Sequence, residues 1–289
     1  MKTNFTKKTD RFVLPNATEI PCIGFGTFLI EEGRTTVNAV RTALNAGYRH
    51  IDAAAVYHNE PDVGIGIKSA GIARKDIFLT SKVWNDMRGY ENTLKAFEKS
   101  CRDLQTDYLD LYLIHWPANE DEYPDGEWKR VNAATWKALE RLYKEGKVKA
   151  IGVINFLSHH LEALMETAEI MPMVNQIEFH PGMMQKETLE FCRANGITVE
   201  AWSPLGCGSA VKNPLIQKLA IKYGKSPAQL CLRWVLQNQV LPLSKSVTES
   251  RIYDNIKIFN FKLTETDMEQ INHMPYIGGS GLNPDHFKG

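Results

Sequence analysis

Short apolar runs alternate with amphipathic stretches along most of this chain. The runs lie at residues 23–27, 47–52, 77–84, 109–116, 148–155, 174–179, 197–202 and 240–243. Most are apolar throughout, as strands are when helices cover both faces of a parallel sheet. Between them, helical spacing recurs at 35–46, 60–70, 90–104, 133–145, from 158, and at 186–194, 213–223, 227–237 and 248–255. In the third of these, Leu94, Phe97, Cys101 and Leu104 share one face. Residues 119–130 read as a polar loop.

Eight strand-helix units predict an α/β fold, a closed (β/α)8 TIM barrel. A small β-hairpin over 11–21 precedes it, turning at Leu14-Pro15-Asn16-Ala17-Thr18. An appended C-terminal helix (264–274) and an irregular tail (278–289) follow it. The alternative is an open doubly wound sheet, which normally binds its dinucleotide at a Gly-x-Gly-x-x-Gly turn. Gly24-Phe25-Gly26-Thr27-Phe28-Leu29 lacks the third glycine. No linker or repeat divides the chain, so residues 1–289 are expected to form a single domain.

Composition narrows the partners. Lys plus Arg is 34 and Asp plus Glu is 34, so the zero net charge favours neither nucleic acid nor an anionic membrane. The five cysteines are scattered without a Cys-x-x-Cys, which argues against a disulfide framework or a zinc site; no metal is expected. The polar stretch 1–10 lacks an apolar signal core, and no apolar run reaches the ~18 residues of a membrane span. A cytoplasmic protein is expected, a monomer or weak homodimer.

Four polar residues fall at strand ends or just beyond them. Asp52 and Tyr57 follow the second strand, Lys82 ends the third and His115 ends the fourth. In a barrel these ends converge on one mouth, and neighbouring strands lie about 4.8 Å apart. A carboxylate inside an apolar stretch needs a positive partner, and a partly buried Lys82 supplies one. The same ammonium can point at Tyr57. A cation ~4 Å from a phenol is worth on the order of 4 kcal/mol at an effective dielectric near 20. That is roughly three pKa units, part of which Asp52 cancels. The pattern predicts a tyrosine with a lowered pKa, poised to give up a proton, with His115 orienting a carbonyl oxygen. Taken singly, each residue fits an ordinary structural role; four on successive strand ends do not.

These residues carry a resemblance. Gly47-Tyr48-Arg49-His50-Ile51-Asp52 with Tyr57 and Asn59-Glu60, Leu109-Asp110-Leu111-Tyr112-Leu113-Ile114-His115-Trp116-Pro117, Val174-Asn175-Gln176-Ile177-Glu178-Phe179-His180-Pro181 and Lys245-Ser246-Val247 occur in that order. The chain resembles the aldo-keto reductase superfamily over nearly its whole length. The tail, Gly279 to Asp285, is similar to bacterial members of the 2,5-diketo-D-gluconate and glyoxal reductase kind, which act on small dicarbonyls and keto-sugars.

The resemblance implies NADPH-dependent reduction of a carbonyl to an alcohol, with NADH a possible substitute. It makes Asp52, Tyr57, Lys82 and His115 a catalytic tetrad, with Tyr57 protonating the oxygen. It places Asn155, Gln176 and Trp202 around the nicotinamide, and Ser203, Leu205 and Gly206 along the pyrophosphate. Lys245, Ser246 and Arg251 would hold the 2′-phosphate, with Asn255 near the adenine and Thr27, Val247 and Thr248 completing the cofactor set. The residues agree with this physically. Ser246-Val247-Thr248-Glu249 has a capping-box pattern at a helix start, which favours an anion, and the Arg251 guanidinium can fork onto a phosphate. Trp202 offers a flat face for the nicotinamide.

Ile154 stands where the family usually has a serine that binds the carboxamide, a loss of ~0.5–1.5 kcal/mol of cofactor affinity. Trp202 stands for tyrosine, Asp254 for a longer glutamate near the adenosine, and Ser244 for a proline, which would loosen the turn before Lys245. Phe28, Trp84 and Trp116, with His115 and Tyr57, are expected to form an aromatic pocket around a small carbonyl substrate, near the polar loop 120–123. Two other readings stay open: a catalytically weak nucleotide-binding sensor or assembly subunit, and a barrel isomerase or aldolase using Lys82 as a nucleophile.

Overall fold

In the computed structural model, which describes residues 4–289, eight parallel strands close into a barrel. Residues 1–3 of the polar N-terminal stretch lie outside the described residues. A two-stranded antiparallel hairpin, β1 (Arg11–Val13) and β2 (Glu19–Pro21), comes first. The barrel strands are β3 (Gly24–Gly26), β4 (His50–Asp52), β5 (Phe78–Val83), β6 (Leu109–Ile114), β7 (Val148–Ile154), β8 (Val174–Glu178), β9 (Thr198–Trp202) and β10 (Leu241–Ser244). They pair in chain order, and β10 closes on β3.

The helices are α1 (Arg34–Ala46), α2 (Glu60–Ser69), α3 (Tyr90–Asp103), α4 (Glu127–Lys144), α5 (Ser158–Met165), α6 (Lys186–Ala194), α7 (Pro214–Tyr223), α8 (Pro227–Gln237), α9 (Glu249–Asn255) and α10 (Glu265–Asn272). Apolar faces of these helices are buried: α1 buries Val40, Ala43 and Leu44, and α8 buries Leu230 to Leu236. Gly47 ends α1 in the left-handed region (φ 105°), and the chain enters β4 three residues later. Among the described residues, no helix is long and apolar enough to cross a membrane.

The widest boundary difference from the sequence reading lies before α4, while others, such as β4 beginning at His50 rather than at 47, are smaller. Residues 119–130 are not wholly a loop, because α4 begins at Glu127, after Gly126 at φ 74°. The first turns of α4 bury Asn132 rather than a run of aliphatic residues. Its amide bonds the N–H and C=O of Ala118 at 2.8 and 3.1 Å, so apolar spacing understates the buried face.

The hairpin covers the N-terminal end of the barrel. Asn16 and Thr18 donate to the Lys149 carbonyl near the start of β7, and Leu14, Ile20, Cys22 and Ile23 join the core. The C-terminal tail crosses the opposite end. Side chains in register on parallel strands share a face. The pairs Ile154–Gln176 and Gln176–Glu200 therefore present a buried row to the interior.

Candidate active site

The ends of β4 and β5 meet in an ion pair. Lys82 Nζ donates to Asp52 Oδ1 at 2.5 Å and to the Ala53 carbonyl at 2.9 Å. Lys82 is fully buried, not partly as the sequence suggested. Burial pushes its pKa down, but the charge and contacts of Asp52 and Tyr57 outweigh burial and hold the ammonium above its ordinary value. A lysine so held is a poor Schiff-base nucleophile, which disfavours the aldolase reading.

Tyr57 ends a single 3₁₀ turn after β4. Lys82 Nζ lies 4.9 Å from the ring centroid, close enough for its charge to act on the hydroxyl. The lowered pKa expected from the sequence is not found. Burial raises the phenol, Lys82 lowers it, Asp52 raises it again, and the balance stands above the ordinary tyrosine value. The sequence argument counted the ammonium and missed the desolvation.

His115 follows β6, and its ring lies edge-on to Tyr57 and Trp84, with centroids 5.6 and 5.0 Å apart. Burial, then the Lys82 charge, holds it well below the usual histidine value, so it is neutral. Its Nδ1 is buried without a partner among the described residues. A charged lysine, a phenol and a neutral imidazole thus converge at the C-terminal mouth. Such a set can donate one proton and one further hydrogen bond to an oxygen. The Asn59-Glu60 part of the motif supports this geometry from behind. Asn59 donates to the carbonyls of Thr27 and Ile30, and Glu60 accepts from Ser81 and Ser100.

Behind these four residues Gln176 meets Glu200, which the sequence reading missed. Gln176 Nε2 donates to Asp52 Oδ2 at 3.0 Å and to Glu200 Oε2 at 2.8 Å. Glu200 is wholly buried, and burial, reinforced by Asp52, pushes its carboxyl up to about 8. The signal was present: Val199-Glu200-Ala201 is a lone acid in an apolar strand, as Asp52 is.

The residues assigned to the cofactor line the strand ends that follow. Thr27 is buried, and its hydroxyl donates to the Asp52 carbonyl at 3.0 Å. Asn155 turns the chain sharply after β7 at φ 61°. Its Oδ1 accepts from Trp202 Nε1 at 2.8 Å, and its Nδ2 donates to the His115 carbonyl at 3.3 Å. Trp202 is half-buried, ahead of the Ser203 turn at φ 47°; Leu205 is half-buried and Gly206 buried. Lys245, Val247, Thr248 and Arg251 are exposed, while Ser246 and Asn255 are buried.

Two expectations here are corrected. The capping box at 246–249 does not form. The helix starts one residue after Thr248, which makes no side-chain cap, and Ser246 Oγ instead accepts from Thr248 N–H at 3.1 Å. Ser244 does not slacken the turn either, since it is buried at the end of β10 with its hydroxyl 3.0 Å from that of Tyr48. Asp254 is exposed and pairs with Lys257 at 2.9 Å.

The aromatic residues expected around a substrate differ in exposure. Phe28 is half-exposed, 5.0 Å from Tyr57, while Trp116 is buried and Trp84 half-buried. The sequence reading missed Phe287, which stacks on Trp116 with centroids 3.9 Å apart. The tail carrying it is tied at several points. Ser280 donates to Glu178, Asn119 donates to the Pro284 and Phe287 carbonyls, and His286 reaches Asp121. Asp285 meets His159 at 2.9 Å and His160 at 3.4 Å. The polar loop 119–126 is held in turn by the part-buried ion pair of Glu122 with Arg88.

Comparisons with known proteins bear on the family and the fold. The aldo/keto reductase family model matches residues 22–274. The chain is 50% identical over 282 residues to a glyoxal reductase of Bacillus subtilis, covering 98% of this chain and 99% of that protein. It superposes with TM-score 0.89 on an aldo-keto reductase from a deep-sea metagenome library, at 41% identity over 97% of this chain and 100% of that one. A mutant of Gox0644 in complex with NADPH gives TM-score 0.89 at 39% identity, covering 98% and 100%. Sequence motifs, barrel topology and these likenesses together establish that the chain belongs to the aldo/keto reductase family.

Proposed function

We propose that the chain, as one domain over residues 1–289, catalyses NADPH-dependent reduction of small carbonyl compounds, α-dicarbonyls among them, with Tyr57 as proton donor. The observation that carries this is Lys82 Nζ, bonded to Asp52 and 4.9 Å from the Tyr57 ring centroid, beside a neutral His115. A glyoxal reductase relative and an NADPH-bound neighbour support the substrate class and the cofactor.

The exposed residues fit NADPH. Lys245 and Arg251 flank the start of α9 with no carboxylate partner among the described residues, as a 2′-phosphate requires. Ser246, Val247, Thr248 and Asn255 complete that end. Ser203, Leu205 and Gly206 suit the pyrophosphate, and Thr27, Asn155, Gln176 and Trp202 the nicotinamide. When bound, NADPH supplies the hydride.

The protein's own part is positional and electrostatic. His115 and Tyr57 hydrogen-bond the carbonyl oxygen and fix its place. As negative charge grows on that oxygen, Tyr57 gives up its proton and Lys82 stabilises the phenolate left behind. Asp52 keeps Lys82 charged and aimed. Phe28, Trp84 and Trp116 exclude water and favour compact substrates.

The test is a panel of aldehydes, α-dicarbonyls and keto-sugars with NADPH and with NADH, followed by cofactor absorbance, for wild type and Tyr57→Phe. Y57F is expected to fold and bind NADPH normally while losing about two to four orders of magnitude in turnover. Near-normal activity in Y57F would overturn the mechanism. Tight NADPH binding with no reduction of any carbonyl would instead support the sensor reading.

A further inference from the structure

Strand β9 presents a single acid to the barrel interior, and the proton-transfer scheme above leaves it unused. Resting on that scheme, we propose that Glu200 is a positioning residue: a buried carboxylic acid that acts through Gln176 so that Asp52 alone directs negative charge at Lys82.

The hydrogen bonds carry the argument. The two N–H groups of Gln176 are divided between two acids, Asp52 Oδ2 at 3.0 Å and Glu200 Oε2 at 2.8 Å. This clamps the amide by its nitrogen and leaves Oε1 without a protein partner among the described residues. Asp52 is ligated on both oxygens, by Lys82 and by Gln176. Glu200 is not, because its Oε1 is buried with no partner among the described residues. An ionised carboxylate with one bare oxygen and no exposure is costly, whereas a neutral acid in the same place is tolerated. Of the two acids, Glu200 is therefore the one that keeps a proton.

The surroundings agree. On the flanking strands Glu200 pairs in register with Gln176 of β8 and Leu241 of β10, neither of which titrates. The charged groups that act on it are Asp52 on β4, which opposes its ionisation, and Lys82 on β5, which only partly offsets burial. Its carboxyl is pushed up to about 8 by burial first and Asp52 second.

The sign of the effect follows. While Glu200 is neutral, Lys82 faces one negative charge and keeps the rest of its field for Tyr57. When Glu200 loses its proton at higher pH, a second negative charge enters the same buried cluster. The Tyr57 phenol then becomes harder to ionise and a weaker proton donor, so reduction slows.

The experiment compares wild type, Glu200→Gln and Glu200→Leu. Single-turnover reduction with NADPH is measured across pH. Difference infrared spectra of the protein without cofactor report the C=O stretch of a protonated carboxyl group. Wild type is expected to show an alkaline fall in rate and an infrared band that titrate together. E200Q, which keeps the volume and the acceptor, should lose both while holding its neutral rate to within about threefold. E200L, which strands one Gln176 N–H, should lose about tenfold at neutral pH, a loss that the conservative variant rescues. If E200L does not fold, E200Q carries the test. An unchanged alkaline limb in E200Q overturns the proposal, and so does a wild-type spectrum without a band that E200Q removes. If the band is present but wild type reduces no carbonyl, the reductase reading falls and takes the positioning role with it.

Discussion

Phe287 lies flat against Trp116, with the rings 19° from parallel and their centroids 3.9 Å apart. The tail therefore supplies one wall of the proposed substrate pocket, whose other walls grow from barrel loops. Trp84, 6.2 Å from Phe287 and edge-on to it, completes the corner. Phe287→Ala should widen this corner. The ratio of kcat/KM for bulky to small carbonyls is expected to rise by about two- to tenfold, the scale of a lost aromatic pair. An unchanged ratio across a graded aldehyde series would show that the tail does not select substrate.

Ile154 sits at the end of β7, buried and in register with Gln176. Ile154→Ser restores a hydroxyl beside Asn155, whose own amide is already held by Trp202 and His115. NADPH binding should tighten by ~0.5–1.5 kcal/mol, while lost packing costs about 2–4 kcal/mol of stability. Fluorescence titration and urea unfolding read the two effects separately. A weaker dissociation constant in a folded variant would count against the nicotinamide assignment.

Ser244→Ala should destabilise the fold by about 1–3 kcal/mol, because it strands the buried Tyr48 hydroxyl. NADPH affinity should change little, since Ser244 itself points to Tyr48. The double variant Ser244→Ala with Tyr48→Phe should recover much of the loss. Additive losses would show that the pair is not coupled.

His50 is wholly buried, bonds Thr80 Oγ1 at 2.9 Å, and is held down at about 4, chiefly by burial. An unfolded histidine takes up its proton near 6.5. Between those values the unfolded chain holds more protons, so stability falls as pH falls from about 6.5 towards 4, by at most about 1.4 kcal/mol per unit. His50→Gln should flatten this slope in urea midpoints measured across that range. An identical slope would place the acid sensitivity elsewhere.

The barrel was readable because its strands are apolar on both faces and its helices are not, a contrast that survives without coordinates. The tetrad was readable for the opposite reason: Asp52, Lys82 and His115 interrupt that apolar pattern at one end of it. What escaped was whatever depends on distant chain segments. The start of α4 was hidden because Asn132 buries an amide by copying a backbone pair. Phe287 was hidden because nothing local ties residue 287 to Trp116. The Tyr57 balance was misjudged because burial, unlike charge, has no letter in the sequence. Glu200 could have been found by the rule applied to Asp52.

The hairpin under the barrel makes the molecule a vessel with a floor. On the proposed mechanism, traffic between solvent and the Tyr57 proton uses the opposite rim, where the tail also rests. Arrivals and departures then share a doorway, and whatever slows the exit of spent reactants also delays the next entry.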